Sequence, residues 1–202
     1  MRALLAALVL LVLAPGCGGL QREATPTVWL ALEPALPAAG SRAGAPSLRI
    51  DSFATAETFR DDRLSVREGH SKWSLSAYHR WVADPGEMVA SAARDHLSRA
   101  GLFSAVFTPP APVEADYRLS GAVRRLYWDR EERTAVVEVE ASLVESTDRL
   151  RGFWVYRRDT PVQSNDVAGF LRSASAGLDL VLADLDRDLS AALANAPSPA
   201  SH

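Results

Sequence analysis

Between residues 116 and 193 the apolar side chains change period, from every second position to every third or fourth. Tyr117, Leu119, Gly121 and Val123 alternate with polar neighbours. Ala135, Val137, Val139, Ala141 and Leu143 then alternate with Glu138, Glu140 and Ser142, and a third extended run, residues 151–157 (RGFWVYR), follows Ser146-Thr147-Asp148. Alternation puts one face of a strand in the core and the other in water, so three such runs joined by short turns predict an antiparallel meander. From residue 166 to 193 the spacing becomes helical. Phe170, Ala174, Leu178, Val181, Leu182, Leu185 and Leu189 form one stripe, opposed by Asp179, Asp184, Arg187 and Asp188. Such a stripe is expected to pack on the sheet.

The upstream half reads the same way with shorter elements. Residues 27–32 (TVWLAL) are a candidate strand, and residues 34–46, rich in Ala, Pro and Gly, a loop. Residues 47–53, 63–67 and 72–76 alternate, the last two flanking Gly69 as a hairpin would. Asp84 can cap a helix with Pro85 in its first turn, Glu87 placed to reach back, and Gly101 at its end. Met88, Val89, Ala92, His96, Leu97 and Ala100 make its inner face. The expected fold is a single α+β domain over residues 27–194, a mixed, largely antiparallel sheet with two helices packed on one face. Residues 195–202 are expected to form a disordered tail.

Residues 3–14 are twelve apolar residues behind Met1-Arg2, ending at Ala14-Pro15-Gly16-Cys17. A bilayer crossing needs about 20 apolar residues, so this run reads as a secretory signal over residues 1–16. Cys17 is the chain's one cysteine, which excludes an intrachain disulfide, a CxxC pair and a thiolate-rich zinc site. A Cys directly after the small-residue cleavage site resembles the lipobox of bacterial lipoproteins, although Pro15 and the position of Leu13 depart from its common pattern. An ordinary signal with an incidental Cys is the alternative. Residues 17–26 then form the lipidated Cys and a tether. The net charge of -3, with signs interspersed, supplies no basic stripe for nucleic acid.

Catalytic motifs are missing: there is no GxSxG, HExxH, P-loop or GxGxxG. His70, His79, His96 and His202 have no helical metal-ligand spacing, so no metal and no cofactor is expected. His96 is expected to be a structural histidine on the inner face of its helix. Arg124-Arg125 and Glu131-Glu132 are read as exposed charges near strand ends. His79 and Arg80 beside Trp81 could hold an anionic headgroup or a partner through charge and stacking; a packed Trp with solvated neighbours is the plainer reading.

The stretch Tyr78-His79-Arg80-Trp81-Val82-Ala83-Asp84-Pro85 resembles that of the ABC-type transport auxiliary lipoprotein family ahead of its first helix. Residues 27–32, Leu64-Ser65-Val66-Arg67 and Asp116-Tyr117-Arg118-Leu119 match in order and spacing, so the resemblance runs from about residue 27 to 189. It implies a non-catalytic, lipid-anchored accessory on the periplasmic side of the envelope. Its implied partners are a mammalian-cell-entry domain protein with an ABC permease and ATPase in phospholipid transport, and a homo-oligomeric ring is also within the family's repertoire. Gly18 rather than Asp after the Cys implies the outer membrane more than the inner. Two other readings stay open: a structural lipoprotein of lipopolysaccharide assembly or cell-wall synthase activation, and an envelope hydrolase with a dispersed site.

Overall fold

The computed structural model describes residues 25–111 and 114–194. The signal of residues 1–16, Cys17, most of the tether and the tail from residue 195 lie outside the described residues. The elements run β1 (Val28–Leu30), β2 (Ser47–Thr55), β3 (Arg63–Gly69), β4 (Lys72–Trp81), α1 (Pro85–Ala100), β5 (Ala105–Phe107), β6 (Tyr117–Asp129), β7 (Thr134–Glu145), β8 (Leu150–Pro161) and α2 (Val167–Ala194), with a 3-10 turn at Glu57–Phe59.

β6 organises the sheet. One of its edges pairs antiparallel with β7 from Tyr117↔Glu145 to Asp129↔Thr134, and β8 continues the meander outside β7. The other edge is shared by two parallel strands in succession. β2 takes its first half, from Leu48↔Tyr117 to Thr55↔Val123, and β3 takes its end at Val66↔Trp128 and Arg67↔Asp129. The sheet therefore forks there. β5 extends β2 in parallel, whereas β4 extends β3 antiparallel and β1 lies parallel to β4. The two longest pairings, β6–β7 and β7–β8, are antiparallel, as the alternating runs predict.

Both helices lie on one face. α1 covers β2, β5 and β6, α2 covers β7 and β8, and the two helices touch. Between them and the sheet lies a continuous core in which Leu48, Ile50, Leu119, Leu126, Trp128, Val137 and Leu143 meet Val89, Leu97, Phe170, Leu178 and Leu182. Each such side chain contributes about 1.5–3 kcal/mol through burial. Every residue of the expected α2 stripe is buried. In α1, Val89, His96 and Leu97 are buried together with Ala93, while Met88 and Ala92 sit half-buried at the margin.

Five details differ from the sequence reading. β4 continues five residues beyond 76, to Trp81, because it crosses an irregular register with β3 between Arg63 and Ser65 that breaks its alternation. β8 runs on to Pro161, and the three-residue β5 carries no periodic signal at all. The Asp84 side chain caps α1 by accepting from Gly86 N at 2.8 Å, but its second partner is the Thr55 hydroxyl rather than a reciprocal Glu87. Thr55 Oγ1 also accepts from Gly86 N at 2.8 Å, so the end of β2 completes the cap. Arg124 and Arg125 lie inside β6 at a register shift, reaching Glu140 at 2.8 Å and Glu138 at 3.4 Å, and so form cross-strand pairs rather than strand-end charges.

Candidate functional site

The segment singled out in the sequence, His79-Arg80-Trp81, ends β4 where β1 pairs with it: Val28↔His79, Trp29↔Arg80, Leu30↔Trp81. Three adjacent residues meet three environments. Trp81 turns into the core, 2% exposed, its ring 6.2 Å from that of Phe170. Arg80 points outward and donates to both carboxylate oxygens of Asp62 at 2.6 and 2.7 Å. His79 Nδ1 shares a hydrogen bond of 2.8 Å with Ser76 Oγ. Cys17 lies outside the described residues.

What this edge presents to solvent is apolar and aromatic. Trp29 is 59% exposed and Val82 53%, with Val28 and Tyr78 nearly half exposed. Val82 N donates to Leu30 O at 2.9 Å, which holds the chain after β4 against β1. On the α1 side, Leu32, Pro34, Leu36, Val82, Met88 and Ala92 line a groove of about 400 Å³. On the α2 side, Trp29 lines another, of about 520 Å³, with Leu171 and Ala176. A tryptophan on a short strand reads equally well as core or surface, so the alternation of residues 27–32 did not mark this patch.

The face of the sheet away from the helices carries a second group. Phe59 stacks on Tyr127 with ring centroids 5.8 Å apart, and Trp73 meets Tyr127 edge-on at 4.8 Å. Arg67 lies 6.0 Å over the Tyr127 ring and is ion-paired with the buried Asp129. Further along, Arg125, Glu138, Arg157 and Asp159 form a charge ladder across β6, β7 and β8. Beyond it β8 exposes Leu150, Phe153 and Val155. On the loop before β3, Arg63 holds the Asp61 carboxyl well below the usual carboxylate range, chiefly through their hydrogen bond.

Between the helices, His96 of α1 faces Asp179 and Asp186 of α2. Burial pushes the imidazole below its ordinary 6.5, against the pull of the two carboxylates. Burial raises Asp179, which the backbone N–H of Ala35 and His96 oppose. His96 Nδ1 has no hydrogen-bond partner among the described residues.

The Ser76–His79 contact is joined by no carboxylate among the hydrogen bonds of the described residues, and no three His, Cys, Asp or Glu there could hold a metal. No helix of the described residues is long and apolar enough to cross a membrane.

Residues 30–186 match the family described as ABC-type transport auxiliary lipoprotein component. The chain belongs to this family. The match takes in β2 to β8, α1, the last residue of β1 and α2 as far as Asp186. An auxiliary lipoprotein of ABC-type transport is an envelope-associated accessory, and that coarse role applies here. The fold recurs in a crystal structure of a Xanthomonas campestris protein labelled DUF330, at 19% identity and TM-score 0.72, covering 83% of this chain and 97% of that one. It recurs again in an uncharacterized protein at 12% identity and TM-score 0.65, covering 82% and 99%. At these identities the likeness concerns the fold alone. Among curated proteins none matches the chain in sequence.

Proposed function

We propose that the auxiliary lipoprotein is a lipid-anchored, periplasm-facing subunit of an ABC phospholipid transport system built on a mammalian-cell-entry domain protein. It binds and positions that protein, together with the permease and ATPase, and does not catalyse. The family match over residues 30–186 carries this reading. The sequence adds a lipobox-like Cys17 eleven residues ahead of Val28. Each acyl CH₂ in a bilayer is worth about 0.8 kcal/mol, so two or three chains on that residue hold the domain durably. Gly18 after the Cys favours the outer membrane.

Self-association into a ring is part of the same reading. It is supported by β8, a twelve-residue strand paired on one side only among the described residues, with Leu150, Phe153 and Val155 exposed. Long unpaired edges and apolar patches are otherwise rare on monomers.

Two measurements test the proposal. Affinity purification after crosslinking is expected to recover the mammalian-cell-entry protein; recovery of cell-wall synthase or lipopolysaccharide-assembly components in its place would refute the transport role. Cys17→Ser is expected to move the domain into the soluble periplasmic fraction, together with loss of fatty acid from the intact mass of the mature chain. A mature wild-type N-terminus without acyl groups would refute the anchor.

A further inference from the structure

Exposed large apolar side chains gather at three places on the sheet: the β1–β4 edge, the Trp73–Leu75 segment of β4, and the β8 edge. Only the first adjoins the point where the chain leaves toward Cys17. Val28 lies eleven positions after Cys17, and whatever its conformation that stretch spans at most about 40 Å, a length comparable to the diameter of a domain this size. A lipid on Cys17 thus keeps the membrane within about one domain diameter of this edge, where the chain enters the fold.

The chemistry of the edge fits a bilayer. Trp and Tyr prefer the headgroup level because they combine an apolar body with a polar handle. Trp29 sits opposite Arg80 in the β1–β4 register, Val28 opposite His79, and Tyr78 directly precedes His79. Val82 and Leu36, both more than half exposed, continue the patch onto the groove beside α1. Arg80, the cation at its centre, is held by Asp62. The patch therefore offers aromatic and aliphatic surface, with the exposed charge nearest it, Glu33, set back in the two flanking grooves.

We propose that the β1–β4 edge is a membrane-docking surface, with Trp29 and Tyr78 seated in the headgroup region of the bilayer and Val28 and Val82 beside them. This rests on the lipid-anchor reading, to which it adds a second contact. The anchor holds the domain near the bilayer, and the aromatic edge sets its orientation, turning the meander away from the lipid. Because Arg80 is paired, docking depends on apolar burial and not on anionic lipid, and it persists in high salt.

The experiment uses the full chain in vesicles of phosphatidylethanolamine and phosphatidylcholine, with part of the latter brominated on its acyl chains. Bromine quenches tryptophan emission only at close range. Trp29→Phe is expected to abolish most of the quenched component, whereas Trp73→Phe, which removes an exposed tryptophan at the opposite end of β4, leaves it intact. Unlipidated Cys17→Ser chain added to the same vesicles is expected to partition about tenfold less when Trp29 and Tyr78 are both changed to Ser. Equal thermal midpoints before and after the change show that the edge variants fold. Flotation of acylated protein whose Trp29 is unquenched would keep the anchor and overturn this proposal. Trp29-dependent quenching without any acyl mass would keep this proposal and overturn the anchor. Trp29-dependent capture of a protein partner, with no quenching, would overturn it in favour of a protein interface.

Discussion

His96 illustrates how one side chain reports on a packing decision. The helical period put it on the inner face of α1, and the structure buries it there, facing Asp179 and Asp186. Because burial depresses its folded pKa below 6.5, the unfolded chain binds the extra proton first, and folding stability falls as the pH drops below about 6.5. Asp179 works in the opposite sense. Its raised pKa returns some stability to the fold on acidification toward the carboxylate range. Urea unfolding between pH 7.5 and 5.5 is expected to show declining stability in the wild type and a flatter profile in His96→Leu. The same slope in both proteins would show that His96 titrates alike in the folded and unfolded chain. At the other end of the sheet, a packed Trp81 with solvated neighbours was the plainer reading of the sequence, and the structure divides Arg80 and Trp81 in that way. Their division into surface and core depends on Asp62 and Phe170, which lie on other elements.

At the scale of elements, local signals located most segments and partner strands adjusted them. Gly121 sits on the inward face of β6, where a larger residue would ordinarily pack. A Cβ there would meet the Phe53 ring at 2.6 Å, as well as the carbonyl of Glu140. The absent side chain is the space Phe53 occupies, beside the register shift between Ile50 and Phe53 in the β2–β6 pairing. Gly121→Ala is therefore expected to destabilise by about 1–3 kcal/mol through overpacking, measured as a lower urea midpoint with unchanged slope. A neutral or stabilised variant would mean that Phe53 is free to move. The α1 cap follows similar logic. Asp84 was readable from its position before Pro85, and its Thr55 partner was not, because Thr55 belongs to a strand 29 residues earlier. Asp84→Ala is expected to cost about 1–2 kcal/mol by the same unfolding measurement. No loss in that variant would show that Thr55 alone holds the end of α1.

Over the whole molecule, the forked sheet distributes exposed surface unevenly. The meander ends in β8, and Phe153 is 58% exposed on an edge that no described strand covers. Phe153→Asp combined with Val155→Asp is expected to leave the fold intact, since both side chains already face water, and to reduce the assembled mass to that of one chain in light scattering. An unchanged oligomer would place the self-contact elsewhere, and a wild type of single-chain mass at all concentrations would end the ring proposal. Periodicity, caps and turn residues act over a few neighbours, so the sequence by itself determined the α+β class, the stripe of α2, the start of α1 and the antiparallel meander. The N-terminal apolar run and Cys17 likewise stand on local pattern. Tertiary structure alone decided that β2 and β3 share one edge of β6, that Trp29 is surface, and that the β1–β4 edge is apolar. Those outcomes follow from which distant segment covers each strand, and burial by a distant partner leaves no period in the residues it covers.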